Sequence, residues 1–327
     1  MQFIGCDVAK ATLETATQGN NDRVANRRFD NRACGYRALL TWIRACHDCP
    51  ADEICVVLEA TGVYHLPLVA YLSEHAIKVL VANPGRAHAF AQSQNQVNKN
   101  DQLDARTLQR YGRSLDLSKQ HFFAPHRKEI SGLKALLSRH TQLDKDRQRE
   151  RNRLEKCDFT PNSGQPEKSI RRQIRHLERE LKRIDDQINA LIDSDPELKH
   201  NNQLLCSIKG IANKTARWLL PLLDQQRFNT ARELAAFLGL TPCHQSSGTS
   251  RKPGHLSGRG NRLIRSKLYF PAITAANHDP MLRRFYQGLL RKGATKTQAL
   301  VAVMRKLVHI AFGVIKHQQP YDPEYAA

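Results

Sequence analysis

The stretch Asn98-Lys-Asn-Asp-Gln-Leu-Asp-Ala-Arg106 carries two carboxylates, Asp101 and Asp104, three residues apart. The segment that follows, 105–115, is rich in helix-forming residues, so a helix is predicted to begin here. Residues three apart share one helical face, where two carboxylates repel each other unless a cation lies between them. The alternative is that both acids only favour the helix start through the helix dipole.

Two further acids stand at the ends of apolar runs. Asp7 follows the run Phe3-Ile-Gly-Cys6, and Glu59 follows the run Ile54-Cys-Val-Val-Leu58. A carboxylate at the end of a buried strand is costly without a partner, and carboxylate oxygens are the ligands that Mg²⁺ prefers. The four acids predicted to hold a divalent ion, Mg²⁺ or Mn²⁺, are Asp7, Glu59, Asp101 and Asp104.

The charge balance of the 327-residue chain is strongly basic. Lys and Arg number 51 against 31 Asp and Glu, which gives a net charge of +20. Such an excess favours a polyanionic partner, above all nucleic acid. The sequence has no run of about 18 apolar residues and does not begin like a secretory signal, so we expect a cytoplasmic protein without a membrane span.

The eight cysteines are scattered. Cys46-His-Asp-Cys49 has zinc-like spacing, but no second pair follows at a suitable distance, so a structural zinc site is not predicted. Cys6, Cys55 and Cys206 lie in apolar runs and are interpreted as buried thiols. This usage fits a reducing cytoplasm.

Residues 1–124 are predicted to form an α/β domain. Three short strands are followed by alternating helices and strands, a pattern typical of a layered α/β fold. The predicted strands are 2–6, 12–17, 23–29, 54–58 and 77–82, and the predicted helices are 31–45, 65–75, 86–93 and one that contains Asp101 and Asp104.

Residues 125–200 are predicted to form an antiparallel coiled-coil arm of two helices, joined by a loop at 159–166. The first helix covers 128–156, and the second shows apolar residues at alternating spacings of four and three. That apolar seam either packs the two helices together or also dimerises, and both interpretations stay open. The seam residues are Ile170, Ile174, Leu177, Leu181, Ile184, Ile188 and Leu191, and an outward basic stripe comprises Arg171, Arg172, Arg175, Arg179, Lys182 and Arg183.

Residues 201–327 are predicted to be mainly helical. The segment 204–220 resembles a helix–hairpin–helix, in which a glycine-rich turn offers backbone N–H groups to a phosphate. A loop rich in Ser, Gly and Pro spans 237–254, and helices are predicted at 261–277, 279–291 and 295–316. Between Arg251 and Lys306 there are thirteen Lys or Arg residues and one acid, Asp279, which indicates contact with nucleic acid.

These motifs together resemble the DEDD transposase family of bacterial insertion sequences, to which the pilin-gene invertases are related. The order and spacing of the motifs over nearly the whole chain carry the resemblance. They are Ile4-Gly-Cys-Asp7-Val-Ala-Lys10, Glu59-Ala-Thr-Gly62, Asn83-Pro84, Lys99-Asn-Asp101-Gln-Leu-Asp104-Ala-Arg106, Ser207-Ile-Lys-Gly210-Ile, Gly239-Leu-Thr-Pro242, Ser247-Gly248 and Gly260-Asn-Arg-Leu-Ile-Arg265.

The resemblance implies an RNase H-like (RuvC-like) N-terminal domain and a serine-bearing transposase domain. The four family acids fall on Asp7, Glu59, Asp101 and Asp104, and the catalytic serine falls on Ser247. The implied activity is DNA transposition or recombination, guided by a noncoding bridge RNA that pairs with donor and target DNA. The implied assembly is a homo-oligomer, a dimer that forms tetramers with shared active sites, in the bacterial cytoplasm and at the nucleoid during the reaction.

Some positions depart from the family pattern. Lys209 and Ala212 replace the usual Pro and Gly of the hairpin, which weakens the prediction of that turn. Gly258 stands where the family commonly has a Lys that faces DNA, so that role is expected of Arg259. The residues predicted to contact nucleic acid are Lys10, Arg106, Arg171, Arg172, Arg175, Lys209, Lys214, Arg251, Lys252, Arg259, Arg262 and Arg265.

Two other function classes remain open from the residues alone. The first is a metal-dependent junction-resolving nuclease, in which the four acids cut DNA and Ser247 is structural. The second is a noncatalytic nucleic-acid-binding protein, in which the acids only stabilise the fold. Rejoined products would separate a recombinase from a nuclease, and metal-dependent cleavage would exclude the noncatalytic class.

Overall fold

Five strands and four α-helices are described in the first part of the chain. The computed structural model describes residues 1–19, 24–60, 62–94, 101–117, 120, 122–123, 127–160, 164–224, 228–243, 246–247, 250–251, 255–256 and 260–324, and the side chains of 101, 243, 246–247, 250–251 and 255 lie outside that description. The chain divides into two compact units, Met1–Pro125 and His126–Ala327.

The first unit is a mixed sheet covered by helices. Its strands are β1 Gln2–Val8, β2 Thr12–Gln18, β3 Val24–Asp30, β4 Ile54–Glu59 and β5 Lys78–Ala82, and its helices are α1 Ala33–Cys46, α2 Leu66–Glu74, α3 Pro84–Ser93 and α4 Asp101–Arg113. The strand order is β3-β2-β1-β4-β5. Antiparallel pairs join β1 to β2 and β2 to β3, and parallel pairs join β1 to β4 and β4 to β5. The prediction of an α/β unit is confirmed, and its elements lie within about two residues of the predicted ones.

The sheet is buried on both faces, because side chains of one strand alternate between two cores. Ile4, Cys6 and Val8 of β1 pack with α1 and α2. Phe3 of β1 packs instead with Leu108 of α4 and with residues of β4 and β5. This alternation decides which face each functional side chain enters.

Two long helices, α5 Lys128–Cys157 and α6 Gly164–Ser194, pack against each other and run in opposite directions. Contacts between them pair rising numbers in α5 with falling numbers in α6, as in Arg151–Glu178 and His140–Asp185. The predicted helical hairpin is therefore confirmed, and a supercoiled arm stays a prediction. The buried residues of α6 are Ile174, Leu177, Leu181, Ile184, Ile188 and Ile192.

The end of the apolar seam differs from the predicted heptad. Ile192 is buried where the heptad placed Leu191, and Leu191 is only half-buried. A step of four from Ile188 follows the 3.6-residue period of a straight helix, which drifts away from a strict seven-residue repeat.

The remaining helices share one hydrophobic core with α5 and α6. They are α7 Pro196–Cys206, α8 Asn213–Leu223, α9 Ala231–Phe237, α10 Arg262–Lys267, α11 Tyr269–His278, α12 Pro280–Arg291 and α13 Lys296–His317. Short two-residue strands pair as β6 Pro242–Cys243 with β9 His255–Leu256 and as β7 Ser246–Ser247 with β8 Ser250–Arg251. The predicted boundary at residue 200 stays a prediction.

Two elements of this unit differ from the predicted ones. The helix predicted at 261–277 is two helices that meet at Leu268. Pro271 explains the break, because it has no N–H for a helical bond to Lys267 and its ring would contact that carbonyl. The segment 237–254, predicted as a loop, contains the paired strands at Ser246–Ser247 and Ser250–Arg251.

Helix α13 is the one helix of the described residues that is long and apolar enough to cross a membrane by length and composition. Its apolar residues have another role, since eight of them are buried in the core of the second unit. A capping box at Thr295 and Gln298 fixes its start.

Candidate functional site

Asp7 and Glu59 lie on the same face of the sheet. Phe3 of β1 and Val57 of β4 enter the core beneath α4. Asp7 follows Phe3 by four residues and Glu59 follows Val57 by two, and an even spacing keeps side chains on the same face of a strand. Cys6 and Leu58, the residues just before them, are register partners in the parallel β1–β4 pair. Asp7 and Glu59 are therefore neighbours at the carboxyl ends of adjacent strands, which are about 4.8 Å apart.

Helix α4 runs antiparallel to β1 across this face. At one end, Gly112 lies against Phe3 and Val57, and further along Ala105 lies against Gly5. The two elements are therefore antiparallel, and the N-terminal end of α4 lies at the carboxyl end of β1. This direction brings the first turn of α4, which begins at Asp101, to the end of the sheet that carries the two strand acids.

Distances along the two elements agree with this placement. Asp101 precedes Ala105 by four residues, about 6 Å along a helix, and Asp7 follows Gly5 by two residues, about 6.6 Å along a strand. The backbone of Asp101 in α4 is therefore at about the same level along β1 as Asp7. Asp104 lies one position before Ala105 and is half-buried. The backbone brings all four predicted acids to one corner of the first unit, called here the acid corner (Asp7, Glu59, Asp101 and Asp104).

The donor set of the acid corner suits a hard cation, because it consists of carboxylate oxygens. Among the described side chains, no group of three His, Cys, Asp or Glu residues converges closely enough to hold a metal ion. The Asp101 side chain lies outside that set. The structure therefore supplies the backbone placement of the four acids and leaves their metal-bound geometry as a prediction.

The Asn31 side chain is hydrogen-bonded to both of the loops that follow Asp7 and Glu59. Its side-chain amide donates to the carbonyl oxygen of Ala9 at 2.8 Å and to that of Tyr64 at 3.1 Å. The hydroxyl of Tyr36 donates to the Asn31 Oδ1 at 2.7 Å and so fixes the amide orientation. Sequence reasoning missed this residue, although an Asn at the start of a predicted helix is a usual signal for a side-chain contact to backbone.

Cys6 directly precedes Asp7 in the sequence, but its side chain belongs to the opposite face of the sheet. Burial raises the pKa of its thiol, and the carboxylates of Asp7 and Glu14 raise it further. Burial also raises the pKa of Cys55 to about 12. Both cysteines are therefore protonated core residues, as predicted. Cys206 differs from its prediction, because it lies at the end of α7 and is only half-buried.

The Cys46–Cys49 segment has no metal-binding arrangement among the described residues. His47 between them is buried, and its Nε2 is hydrogen-bonded to the Thr17 hydroxyl at 2.7 Å. A ring nitrogen engaged in this way does not face an ion. The local geometry therefore favours a structural role for His47.

The basic residues predicted on the helical arm are exposed. Arg172, Arg175, Arg179 and Lys182 lie on the outward face of α6, while Arg171 pairs with Glu167 at 2.8 Å. The α5 arginines differ, because Arg147, Arg149 and Arg153 each pair with an acid three residues earlier. The α6 face is therefore the richer source of cations for phosphates.

The turn between α7 and α8 requires glycine at Gly210, and its helix–hairpin–helix geometry stays a prediction. Gly210 has φ of +94°, and a Cβ there would lie 2.5 Å from the Pro271 carbonyl oxygen, so glycine is required. Ala212 at the start of α8 makes no side-chain cap. Lys209 and Lys214 flank the turn and are exposed.

Other predicted contact residues have varied surroundings. Lys10 and Arg262 are exposed. Arg106 donates to the Asn26 side chain at 3.1 Å, and Arg265 donates to the Leu238 carbonyl oxygen at 3.3 Å, so each is partly engaged within its own unit. Lys252 and Arg259 lie outside the described residues, as does the Arg251 side chain.

Ser247 lies in a short antiparallel strand pair of the second unit. Its register partner is Ser250, and Ser246 pairs with Arg251. The Ser247 side chain and residues 248–249 lie outside the described part of the chain. The serine and the acid corner thus belong to different compact units.

Comparisons with known proteins find two transposase families matched in order along the chain. Residues 4–157 match a DEDD transposase family of IS110 type, and residues 202–287 match the transposase IS116/IS110/IS902 family. The pilin gene-inverting protein of Moraxella bovis is 33% identical over 323 residues, which cover 98% of this chain and 97% of that protein. The corresponding protein of Moraxella lacunata is 32% identical over the same length.

A partial match extends to insertion elements. The IS110 uncharacterized 43.6 kDa protein of Streptomyces coelicolor is 32% identical over 145 residues, 44% of this chain and 35% of that protein. Together these relatives support a DNA-rearranging enzyme. With a relative matched over nearly its full length and two transposase families matched in order, the chain belongs to the IS116/IS110/IS902 family of transposases.

Proposed function

We propose that this chain is the recombinase of an insertion sequence, which cuts DNA strands and rejoins them to new partners. The observation that supports the proposal is the antiparallel path of α4 along β1, with the first turn of α4 beginning at Asp101. The mixed sheet with an antiparallel β1–β2–β3 meander supports an RNase H-like first unit. The match to pilin gene-inverting proteins supports rejoining over simple cleavage.

The acid corner is proposed to hold a divalent cation, Mg²⁺ or Mn²⁺. When bound, such an ion would neutralise the phosphate and stabilise charge on its oxygens. The role of the chain is to hold Asp7 and Glu59 on rigid strands and the other two acids on the first turn of α4. Asn31 keeps the loops beside these acids in place.

Ser247 is proposed as the nucleophile. Its Oγ would attack the phosphorus of a DNA phosphodiester, form a P–O bond, and release its proton while the leaving deoxyribose oxygen takes one up. The resulting phosphoserine ester conserves the bond energy, so attack by a DNA hydroxyl restores the strand and frees the serine. Because Ser247 and the acid corner lie in different units, a complete site needs both units, from one protomer or from two.

The basic surfaces are proposed to bind nucleic acid, including a noncoding guide RNA as well as donor and target DNA. The exposed cations of α6 and of the α7–α8 turn support this role. Contacts to phosphates carry no sequence information by themselves, so pairing with a guide RNA would supply target choice. A dimer that assembles into a tetramer would bring two DNA partners together.

The decisive experiment traps the covalent step. Purified protein with its RNA is incubated with a DNA substrate nicked so that the cut strand dissociates, then denatured and digested. Mass spectrometry is expected to find the DNA attached to Ser247. Ser247→Ala should give no adduct and no joined product while it binds RNA and DNA like the unaltered protein.

Other outcomes would overturn parts of the proposal. Four neighbouring hydroxyl residues are rivals that the sequence cannot rank, and an adduct on one of them would reassign the nucleophile: Ser246, Thr249, Ser250 and Ser257. Cleaved products without rejoining or adduct would indicate a nuclease. Wild-type recombination by Asp101→Asn, which retains size and removes charge, would exclude the metal role of the acid corner.

A further inference from the structure

A fifth carboxylate lies beside the acid corner, on a strand that the four family acids do not use. Glu14 of β2 is the register partner of Asp7 in β1. On its other side, Glu14 is the register partner of Arg28 in β3. Directly opposed residues of antiparallel strands project from the same face, with Cβ atoms about 5 Å apart. Arg28, Glu14, Asp7 and Glu59 therefore form one row across four strands, beneath α4.

The Glu14 side chain is held in place by this row. Its Oε1 lies 3.0 Å from the Nε of Arg28, and the Nη2 of Arg28 donates to the Thr12 hydroxyl at 3.4 Å. The Glu14 side chain is only 10% exposed, whereas the Arg28 side chain is 64% exposed. The negative charge therefore lies inside, next to Asp7, and the positive charge lies toward solvent.

Stability alone gives no reason for this arrangement. A surface ion pair contributes little to folding, and replacing a whole buried ion pair by apolar residues of similar volume is often neutral or stabilising. Like charges directly opposite each other in a sheet are destabilising, and Glu14 faces Asp7 in this way. An apolar pair in place of Glu14 and Arg28 would remove that repulsion, so the carboxylate is better explained by a second cation, bound beside Asp7.

We propose that Glu14 and Arg28 are positioning residues that set the affinity of the acid corner for its divalent cation, Glu14 strengthening it and Arg28 weakening it. The inference rests on the proposed metal role of the acid corner. Glu14 acts through the charge and orientation of Asp7, as groups behind metal ligands commonly do. Arg28 restrains Glu14 and compensates part of the negative charge before the cation binds.

The test measures Mn²⁺ affinity directly, from the electron paramagnetic resonance signal of free Mn²⁺ titrated with the full-length protein at fixed salt. Glu14→Gln is expected to raise the Mn²⁺ dissociation constant roughly tenfold. Arg28→Gln should lower it by about threefold, because a nearby positive charge is removed. Glu14→Gln should melt within a few degrees of the unaltered protein, because it removes a buried charge and leaves only an exposed cation unpaired. Arg28→Gln should melt at a lower temperature, because the buried Glu14 carboxylate is left without its cation, so its Mn²⁺ affinity is measured where it remains folded.

A matched control is available on α5. Arg153 and Glu150 form an ion pair with nearly the same exposure, 64% and 15%, in the other unit. Arg153→Gln and Glu150→Gln should leave Mn²⁺ affinity unchanged. A purely structural Glu14–Arg28 pair predicts changes in stability with no opposite shifts in Mn²⁺ affinity.

The outcomes separate this inference from the proposed function. If Asp7→Asn abolishes Mn²⁺ binding while Glu14→Gln and Arg28→Gln bind like the unaltered protein, the metal role stands and the inference is wrong. Shifts of both variants in the same direction would also overturn it. If the unaltered protein binds no more Mn²⁺ than Asp7→Asn does, the metal role fails and the inference fails with it.

Discussion

Gly5 of β1 and Ala105 of α4 are in direct backbone contact, so close that a Cβ on Gly5 would lie 1.8 Å from the Ala105 carbonyl oxygen. Glycine is required here by space and not by an unusual backbone angle. The contact sets how near α4 lies to the sheet. It therefore also sets how near the first turn of α4 comes to Asp7 and Glu59.

Gly5→Ala is expected to push α4 away from β1. Overpacking of this kind destabilises a core by about 3 kcal/mol, and the acids of α4 should move away from the strand acids. We expect a lower midpoint of unfolding in guanidinium chloride and a recombination rate that falls more than the folded fraction does. The rate is measured without denaturant, at a temperature where the variant remains folded.

Gly288→Ala in α12 is the control for this substitution, because a Cβ there meets nothing within 4 Å. In a helix interior the same change should stabilise the fold by about 1 kcal/mol. Equal effects of the two variants would mean that the Gly5–Ala105 approach does not matter to the fold.

The outward face of α6 should carry much of the salt dependence of nucleic-acid binding. Replacing Arg172, Arg175 and Arg179 with Gln removes three exposed cations. Each phosphate interaction that is removed should lower the slope of log affinity against log salt by about 0.9 for duplex DNA. Fluorescence anisotropy at several salt concentrations should therefore show a slope smaller by about 2 to 3.

The control set is Arg147, Arg149 and Arg153 of α5, which are also replaced by Gln. Each of these arginines already pairs with an acid on its own helix. Removing them changes the net charge by the same amount but should change the salt slope less. Equal slopes for the two triple variants would indicate a general charge effect and no dedicated α6 surface.

Arg127, which directly precedes α5, forms ion pairs with Glu197 of α7 and with Asp224, which follows α8. Its guanidinium lies 2.6 Å from Asp224 and 3.1 Å from Glu197, and the Asp224 side chain is only 4% exposed. Arg127→Met should destabilise the protein by about 2 kcal/mol, because Asp224 is left buried without its cation. Adding Asp224→Asn should restore part of the free energy of unfolding.

Lys199→Met serves as the comparison, since Lys199 and Asp193 are both exposed and lie 3.7 Å apart. Such a surface pair contributes little, so its removal should change the free energy of unfolding by less than about 0.5 kcal/mol. If the double variant is no more stable than Arg127→Met, the buried charge of Asp224 is not the source of the destabilisation.

The sequence was sufficient to predict the elements of the first unit, because apolar runs of strand length alternate with helical spacing and each ends at a clear turn signal. It also indicated that the acids belong together, but only through their order. What brings them together is Gly5, whose small size permits α4 to approach. A glycine inside an apolar run gives no such signal until its partner helix is known.

Other features depend on pairing between strands, which the sequence does not show. Glu14 is an ordinary acid in a predicted strand until the register places it opposite Asp7. Asn31 is a plain helix-start residue until its amide meets the carbonyl oxygens of Ala9 and Tyr64. The break at Leu268 is different, because Pro271 was visible in the sequence and its effect on the preceding turn was missed.

His47 should make the protein less stable at mildly acidic pH. It is 3% exposed, its Nε2 is hydrogen-bonded to Thr17, and its Nδ1 has no hydrogen-bond partner among the described residues. Burial lowers the pKa of this imidazole. The unfolded chain, with a histidine pKa near about 6.5, therefore takes up a proton at a higher pH than the folded protein does.

Because the folded-state pKa is the lower one, the stabilisation is complete above about pH 6.5 and declines as the pH falls through the folded-state pKa. Guanidinium unfolding at pH 7.5 and at pH 5.5 should show a smaller free energy of unfolding at the lower pH. His47→Gln should reduce that difference, whatever its effect at pH 7.5, since it removes the titrating group. His200→Gln on α7, where the side chain is exposed, should leave the difference unchanged. If the pH dependence of His47→Gln equals that of the unaltered protein, the destabilisation belongs to other buried groups, such as His65 and His309, whose pKa values burial also lowers.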